Sequence, residues 1–232
     1  ILGFSNLLEA HPEKKMEINQ GIKRNAARLQ RLTNDILDVT RIESHTLNLN
    51  KERFDLHEMI SHVIEDFRNQ ANNAHIQLTY NPGTNSETDK DENSIIVEAD
   101  KSRLAQVISN LLGNAMKFTE SEGSISVRSE KNDGHVIVSV KDTGGGIDPD
   151  VMPRLFTKFT TKSRTSGTGL GLFISKSIVE THGGKIWGEN YIDGIRKGSI
   201  FAFSLPLNNR NGSSSSIGGI YYDNKETSNR IR

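Results

Sequence analysis

SRLAQVISNLLGNAMKFT, residues Ser102 to Thr119, is the stretch of sequence that most restricts the fold. Asn110 and Asn114 are four residues apart, so on a helix their amides lie on one side with Lys117 close by. Asn competes for backbone hydrogen bonds and is disfavoured in helix interiors, so the pair has two readings: an exposed polar face, or a seat for a hard cation and phosphate. The helix itself is predicted by apolar residues at helical spacing, namely Leu104, Val107, Ile108, Leu111, Leu112 and Ala115.

The composition of the whole chain is that of an ordinary soluble protein with enough apolar residues for a core. It has 232 residues, of which 34% are hydrophobic and 25% are charged. Lysine plus arginine and aspartate plus glutamate both number 29, so the zero net charge gives no electrostatic case for nucleic-acid binding. The absence of cysteine excludes disulfides and thiolate chemistry. No apolar run approaches the roughly 20 residues of a membrane span.

The N-terminal part predicts a helical hairpin. Residues 1–9 resemble the end of a helix, closed before Pro12, and residues 13–43 form a second helix. Because the chain starts at Ile1 inside an apolar-periodic segment, we expect it to be a fragment. The second helix carries a seam in steps of four and three, typical of a coiled coil and of dimerisation: Ile18, Ile22, Asn25, Leu29, Leu32, Ile36 and Val39. The alternative is a hairpin folded against its own globular domain.

The remainder of the chain predicts an α+β sandwich. Residues 48–55 read as a linker, and Asp55 and Asp100 are placed to cap helices. Asn132-Asp133-Gly134 is a strong hairpin signal, while Gly194 and Gly198 suggest a loop. The predicted helices after the linker are 56–73, 102–119 and 170–181, and the predicted strands are 76–80, 95–98, 124–129, 136–140, 185–189 and 200–205. This order favours a largely antiparallel sheet with helices on one face.

Two glycine-rich clusters follow strand and helix boundaries. In the first, DTGGGI at 142–147, Asp142 at a strand end can accept a hydrogen bond from an exocyclic amine, while glycines let a flat ring approach the backbone. A plain glycine turn with a capping Asp is the alternative. The second, GTGLGL at 167–172, precedes a helix and predicts an anion nest for phosphate. Its spacing matches neither the Rossmann nor the Walker pattern. The Gly183-Gly184 pair is read as a helix end.

Taken together, these pieces predict a nucleotide site. An amide oxygen can join phosphate oxygens and waters in the octahedron that Mg²⁺ demands. Residues 148–166, with two phenylalanines and several cations between the glycine clusters, read as a lid over a nucleotide. His57-Glu58 resembles the start of a zinc motif, but His62 follows five residues after His57 rather than four, so a zinc site is excluded there.

Four of these motifs resemble the boxes of the sensor histidine kinases. NLLGNAMKFT is similar to their N box, DTGGGI to the first G box, Phe156–Phe159 to the F box, and GTGLGL to the second G box; KGSIFAFSLP resembles the closing strand. The resemblance implies a Bergerat-type ATP-binding α/β sandwich over residues 48–207. It also implies a partial dimerisation hairpin at 1–47, and composition adds a polar, disordered tail at 208–232.

The resemblance also implies the roles of individual residues. Asn114 is the main magnesium ligand with Asn110 beside it, Lys117 contacts phosphate, and Asp142 binds the adenine amino group. Gly169, Leu170 and Gly171 offer backbone amides to the phosphates. Further nucleotide contacts are implied at Phe118, Gly144, Gly146, Ile147, Lys158, Lys162, Thr168, Leu172 and Ser199.

The activity so implied is transfer of the γ-phosphoryl group of ATP to a histidine and then to an aspartate on a response-regulator receiver domain. The acceptor histidine is expected upstream of Ile1, because ILGFSNLL resembles the stretch after it; the fragment would then not phosphorylate itself. Gly145 stands where a larger apolar residue is common, and Gly113 is unexpected in a helix. The resemblance implies a homodimer in the cytoplasm and leaves open a membrane anchor on the complete protein.

Two other functions stay open from the sequence. One is a related Bergerat ATPase or serine kinase, against which the heptad hairpin argues. The other is a non-catalytic dimeric module that binds nucleotide and passes the signal to a partner through its hairpin. Phosphotransfer with labelled ATP separates both from a histidine kinase.

Overall fold

The computed structural model describes residues 15–83, 94–160, 168–194 and 196–207. Their elements run α1 (Lys15–Glu43), β1 (Glu52–Asp55), α2 (Leu56–Asn73), β2 (Gln77–Pro82), β3 (Ile96–Ala99), α3 (Lys101–Phe118), β4 (Ser124–Asn132), β5 (His135–Asp142), a short 3₁₀ turn (Met152–Arg154), α4 (Gly171–Thr181), β6 (Lys185–Asp193) and β7 (Arg196–Pro206). The α+β class predicted from the sequence is confirmed. The predicted first hairpin helix, Lys162 and the predicted tail lie outside the described residues.

A five-stranded sheet forms one layer of the sandwich, in the order β2-β4-β5-β7-β6. Only β2 and β4 pair in parallel, and the other pairs are antiparallel. The β4–β5 turn is the one predicted from Asn-Asp-Gly: Asp133 and Gly134 both have positive φ, at 43° and 75°, as a two-residue hairpin turn requires. The mixed, largely antiparallel sheet of the prediction is therefore confirmed.

The core lies between this sheet and three helices. Every second residue of β5 is buried, because successive side chains of a strand point to opposite faces. The apolar face of α3 is completely buried against these strands and against α2 and α4, and it comprises the six residues predicted from periodicity together with Met116. Each large aliphatic side chain so buried stabilises the fold by about 1.5–3 kcal/mol. The helix that carries both asparagines is thus anchored along its whole length.

Buried and capping polar groups fix where α3 begins. Asp100 is its N-cap and accepts from the Arg103 amide at 3.0 Å, as Asp55 caps α2 by accepting from the His57 amide. The Asp100 amide in turn donates to His182 Nε2 at 2.9 Å, at the end of α4. Burial lowers the pKa of His182, which suits the neutral ring that this bond requires. This hydrogen bond therefore joins the start of α3 to the end of α4.

Two segments differ from the sequence prediction. Residues 48–55 were expected to be a linker, but Glu52–Asp55 forms β1 and pairs antiparallel with β3. The loop expected around Gly194 and Gly198 is shorter than predicted, because β6 extends to Asp193 and β7 begins at Arg196. In both places the strand residues are polar and are held by pairing with a partner strand, which local propensity does not report.

Helix α1 presents two different faces. Leu29 and Ile36 of the predicted seam are each 57% exposed, whereas Val39 packs against the core of the sandwich. Asp35 and Asp38 are buried, and they lie on the side of α1 that contacts the sandwich. The helix therefore meets its own domain through acidic residues and turns part of its apolar seam outward. Dimerisation through the seam remains a prediction.

Candidate functional site

The buried carboxylate of Asp142 is the centre of one end of the predicted site. Asp142 closes β5 and is 2% exposed. One carboxylate oxygen accepts from the Gly144 amide at 2.8 Å, and the other accepts from Ser199 Oγ at 2.5 Å. An ionised carboxylate has about four lone-pair sites, so each oxygen can accept a further donor. These two hydrogen bonds hold the carboxylate in place and leave it able to accept a hydrogen bond from an amino group of a ligand.

Glycine is required where backbones cross close to Asp142. A Cβ on Gly198 would lie 1.9 Å from the Asp142 carbonyl oxygen, and a Cβ on Gly144 would lie 2.4 Å from the Phe118 carbonyl oxygen. Real Cβ atoms do not approach so closely. Gly145, by contrast, is exposed and a Cβ there would meet nothing within 4 Å. The first glycine cluster therefore packs tightly at Gly144 and is open at Gly145.

Two residues of β6 hold this loop, and the sequence analysis missed both. Asn190 Oδ1 accepts from the Ile147 amide at 2.6 Å, and Asn190 Nδ2 donates to the Ile147 carbonyl at 2.8 Å. Tyr191 donates through its hydroxyl to the Asp142 carbonyl at 2.9 Å, while Lys141 Nζ lies 3.9 Å from the centre of the Tyr191 ring. The predicted strand ended at residue 189, so no local signal in the sequence marked either residue.

The other end of the site lies where α3 meets the start of α4. Asn110 Nδ2 donates to the Gly171 carbonyl and to Ser175 Oγ, both at 3.2 Å. Since Nδ2 makes these bonds, Oδ1 is the atom that Asn110 can offer to a cation. Asn114 is half-buried one turn further along α3. The structure thus places Asn110 beside Gly171 of the second glycine cluster.

The second glycine cluster is folded tightly under the F-box segment. Gly169 has φ +68°, and a Cβ there would lie 2.7 Å from the Phe159 carbonyl carbon. The Leu170 amide donates to Thr168 Oγ1 at 3.1 Å, and Leu170 is the N-cap of α4, with Leu172 half-buried in its first turn. The turn at Gly169 and the start of α4 lie where the sequence predicted a phosphate nest, and the Leu170 amide there is bonded within the loop.

Helix α3 joins the two ends. Asn110 contacts Gly171, and the helix finishes at Phe118, whose carbonyl contacts Gly144. Eight residues of α-helix span about 12 Å at 1.5 Å per residue. The carboxylate end and the glycine-nest end are therefore held a fixed distance apart by one rigid element.

Two predicted lysines have different surroundings. Lys117 is exposed, lies 4.5 Å from the centre of the Phe118 ring, and has a pKa that partial burial lowers. Lys158 instead pairs with Glu43 at the end of α1 and lies 5.2 Å from the centre of the Phe173 ring. Lys117 thus lies against Phe118 at the end of α3, whereas Lys158 points toward the hairpin helix.

Helix α1 directly contacts the loop that precedes α4 and holds Thr168, which the sequence did not indicate. Thr168 Oγ1 donates to Asp35 Oδ2 at 3.1 Å. Arg103 Nη1 donates to both oxygens of Asp38, at 2.8 and 2.9 Å, and Gln106 Nε2 donates to Asp38 at 2.8 Å. Burial raises the pKa of Asp35, with the neighbouring Asp38 charge adding to the increase and the Thr168 bond opposing it. The loop that holds Thr168 is therefore bonded to a helix 133 residues earlier in the chain.

The donors present fit a magnesium ion that is completed by phosphate. Within the ranges that the structure describes, no group of three or more His, Cys, Asp or Glu side chains is placed to hold a metal ion. Mg²⁺ usually keeps several waters and binds through few protein oxygens together with substrate phosphates. The amide oxygens of Asn110 and Asn114 suit that coordination.

A shallow polar cavity of about 460 Å³ lies beside the first glycine cluster. It is lined by Gln77, Glu120, Ser121, Glu122, Gly123, Ser124, Thr143, Gly144, Gly145 and Lys197. Of the predicted site residues it includes Gly144, so it adjoins the carboxylate end and not the asparagine face. None of the described helices is long and apolar enough to cross a membrane.

Comparison with known proteins identifies the fold and the family. Residues 99–209 match the histidine kinase-, DNA gyrase B- and HSP90-like ATPases. The chain is 33% identical over 199 residues to the circadian input-output histidine kinase CikA of Synechococcus elongatus, a match that covers 84% of this chain and 25% of CikA. The chain thus spans about a quarter of that relative's length.

Solved structures agree with this match. The catalytic domain of the histidine kinase ThkA is similar at a TM-score of 0.59 and 34% identity, covering 68% of this chain and 95% of that domain. The structure of ThkA in complex with the response regulator TrrA is similar at a TM-score of 0.63 and 29% identity, and the match covers 88% of this chain and 55% of that chain. The structure of full-length ShkA in complex with AMPPNP is similar at a TM-score of 0.67 and 28% identity, and the match covers 84% of this chain and 39% of that chain. With four boxes in order and this geometry, the chain belongs to the sensor histidine kinases and contains their Bergerat-type ATPase domain.

Proposed function

We propose that this chain binds Mg-ATP and presents its γ-phosphoryl group to a histidine, from which the group passes to an aspartate of a response-regulator receiver domain. The observation that carries the proposal is the pairing of a buried, fixed carboxylate, Asp142, with an amide-lined helix start at the other end of α3. One end suits a base with an amino group, and the other suits phosphates.

At the base end, Asp142 accepts the hydrogen bond of the adenine amino group while Ser199 and Gly144 hold its two oxygens in place. Gly146 and Ile147 lie along the ring. A hydrogen bond to a charged acceptor is roughly twice as strong as a neutral one, and strongest where water is excluded. A carboxylate that is 2% exposed therefore reads the base with little competition from solvent.

At the phosphate end, Asn114 and Asn110 hold Mg²⁺ through their amide oxygens, and Lys117 neutralises phosphate charge. An ion bound by these two asparagines would supply positive charge that stabilises the phosphates and the leaving group. The amides around Gly169, Leu170 and Gly171 bind phosphate oxygens at the start of α4. Thr168 and Leu172 border the nucleotide here, and Phe118 borders it at the base end of α3. Lys158 and Lys162 are assigned to the lid from the sequence alone, and Lys162 lies outside the described residues.

The transfer itself needs an acceptor histidine, a response-regulator receiver domain and a second copy of the chain. An imidazole nitrogen attacks the γ-phosphorus, the bond to the β-phosphate oxygen breaks, and ADP leaves. ShkA bound to AMPPNP and ThkA bound to TrrA support nucleotide and receiver-domain binding here by family likeness. The outward-facing Leu29 and Ile36 support a homodimer formed through the hairpin. A cytoplasmic location follows from that family as part of the proposal.

Isothermal titration calorimetry tests the nucleotide step. We expect ATP to bind with an affinity that rises when Mg²⁺ replaces EDTA, and we expect GTP to bind more weakly. Absence of nucleotide heat at millimolar ATP would contradict the proposal.

Incubation with γ-labelled ATP tests the transfer step. A hairpin polypeptide with a histidine in the family's acceptor context is added, and its histidine-to-alanine variant is the control. Label is expected on the first and not on the second. Label on serine of either polypeptide would instead indicate the alternative serine-kinase reading.

A further inference from the structure

Asn190 lies near Asp142 and makes two hydrogen bonds to the chain that have no part in the proposed chemistry. The register of the sheet pairs Asp142 with Ser199 and Ser199 with Asn190, across β5, β7 and β6. Residues paired in adjacent strands point to the same face, so these three side chains form one row. The row leads from the carboxylate to the loop that follows it.

The amide of Asn190 bonds to a single residue through both of its ends. It accepts from the Ile147 amide at 2.6 Å and donates to the Ile147 carbonyl at 2.8 Å. This exchange of two bonds copies the pairing of residues in an antiparallel ladder, at a place where the chain has left β5. The orientation of the side-chain amide is fixed as well, because the Ile147 amide needs an acceptor and its carbonyl needs a donor.

The residue before Ile147 is shaped by the same contact. Gly146 has φ +80°, and a Cβ there would lie 2.9 Å from Asn190 Oδ1. Glycine is therefore required both by the left-handed backbone and by the close passage over Asn190. The path from Gly146 to Ile147 is set by a residue 43 positions later in the chain.

We propose that Asn190 is a positioning residue of the nucleotide site, which clamps Ile147 and so holds the Gly144–Ile147 turn against the base. This rests on the proposed function, in which Gly146 and Ile147 line the adenine ring. Because Asn190 takes both polar groups of Ile147, the base meets the carboxylate of Asp142 and not a free amide or carbonyl of that residue. The clamp thus makes the base end an acceptor site for an amine.

The test compares Asn190→Ala with Asn190→Ser and with the control Glu189→Ala, an exposed neighbour in the same strand. Loss of both hydrogen bonds is expected to weaken ATP binding about tenfold. The weakening should be equal in Mg²⁺ and in EDTA, because the clamp acts on the base end. Serine can donate or accept in part, so Asn190→Ser should give an intermediate dissociation constant, and Glu189→Ala that of the unmodified chain.

Amide hydrogen exchange without nucleotide supplies the second measurement. We expect Asn190→Ala to speed exchange at Ile147 while the ladder amides of β6 and β7 stay protected. If the unmodified chain does not bind ATP, the proposed function fails, and unchanged exchange at Ile147 would separately overturn the clamp. If the unmodified chain binds ATP and Asn190→Ala binds it equally well, the inference on Asn190 is wrong and the proposed function stands.

Discussion

The two ends of the nucleotide site are built in different ways. The base end uses neighbouring strands of one sheet, with Asp142, Ser199 and Asn190 in a single row. The phosphate end is assembled from helix α3, the loop before α4 and a side chain of helix α1. Its border is also open, since Phe159, which lies against Gly169, is 70% exposed.

This difference separates a preformed half from an adjustable half. Strand register fixes the base end, whose polar groups already have internal partners. The phosphate end depends on a contact with the hairpin helix, so a movement of α1 would reach Thr168 and Leu170 before it reached Asp142. We therefore expect base recognition to be insensitive to the hairpin helix and phosphate binding to depend on it.

The largest expected effect is at the base end. Asp142→Asn keeps an oxygen for the Gly144 amide but turns an amino group toward the base, where a donor then faces a donor. ATP binding should weaken about 100-fold, which corresponds to about 2.7 kcal/mol. The measurement is calorimetry with ATP, alongside thermal unfolding to show that the fold persists. Asp150→Asn, at an exposed position, is the control, and retained affinity in Asp142→Asn would refute a base-reading role.

The contact between α1 and α3 carries the next effect. Asp38→Ala leaves the half-buried Arg103 without its carboxylate partner, and removal of one partner of a largely buried ion pair is costly. Arg103 keeps its bond to Gln106, so we expect a loss of about 2–3 kcal/mol in the free energy of unfolding, below the range for isolated buried charges. Urea denaturation measures it, with the exposed Asp66→Ala as the matched control. A change no larger than that of Asp66→Ala would show that α1 is not docked on the domain in solution.

Magnesium should distinguish the two ends. Asn114→Ala removes an amide oxygen from the phosphate end and is expected to weaken ATP binding about tenfold in Mg²⁺ while leaving it unchanged in EDTA. Calorimetry in the two buffers measures the difference. Asn73→Ala, at the exposed end of α2, is the control. An equal loss in both buffers would mean that Asn114 shapes the pocket without binding the metal.

The phosphate end was more visible in the sequence than the base end. Helical periodicity located α3, and the spacing of Asn110 and Asn114 predicted that both amides lie on one side of it. Asp142 was also predicted, because a carboxylate after an alternating strand is a local signal. Asn190 was missed because its role exists only once β5, β7 and β6 are in register, and register depends on pairing between distant segments.

The same limit explains the errors in the fold. β1 is a four-residue strand of sequence ERFD, too short and too polar to show alternation, and its pairing with β3 defines it. Asp35 and Asp38 are buried by contacts with Thr168 and Arg103, which lie far away in the chain, so no local pattern marks them. The roles of Asp38, Asn190 and Asp35 were not predicted, because their partners lie 65, 43 and 133 positions away in the chain.

A smaller effect is expected at Gly113, between the two asparagines. A Cβ there would meet nothing within 4 Å, so Gly113→Ala introduces no clash within the described residues. Replacing glycine by alanine in a helix interior stabilises by about 0.5–1 kcal/mol. Chemical denaturation should show this gain, with ATP affinity unchanged. Gly184→Ala, where a Cβ would lie 1.9 Å from the Ser204 carbonyl oxygen, is the opposite control and should destabilise.

The smallest expected effect is a pH dependence of the free energy of unfolding, which comes from the titration of Asp35 beside the phosphate end. Burial raises the pKa of Asp35 above its ordinary value of 3.8, so the folded chain binds this proton more tightly than the unfolded chain. The penalty of ionised Asp35 is present above the raised pKa and is relieved as the pH falls through it. Asp35→Asn keeps an oxygen for Thr168 without the charge, so its stability advantage over the unmodified chain should be largest at neutral pH and shrink toward pH 3.8. Urea denaturation across that range measures the difference; an advantage that grows on acidification would reverse the assigned sign and place Asp35 among groups stabilised by their charge.

Because the buried partner of Thr168 is an acid, loss of its charge should also favour phosphate binding. ATP affinity in Mg²⁺ should therefore rise in Asp35→Asn, while adenosine affinity, which reports the base end alone, stays constant.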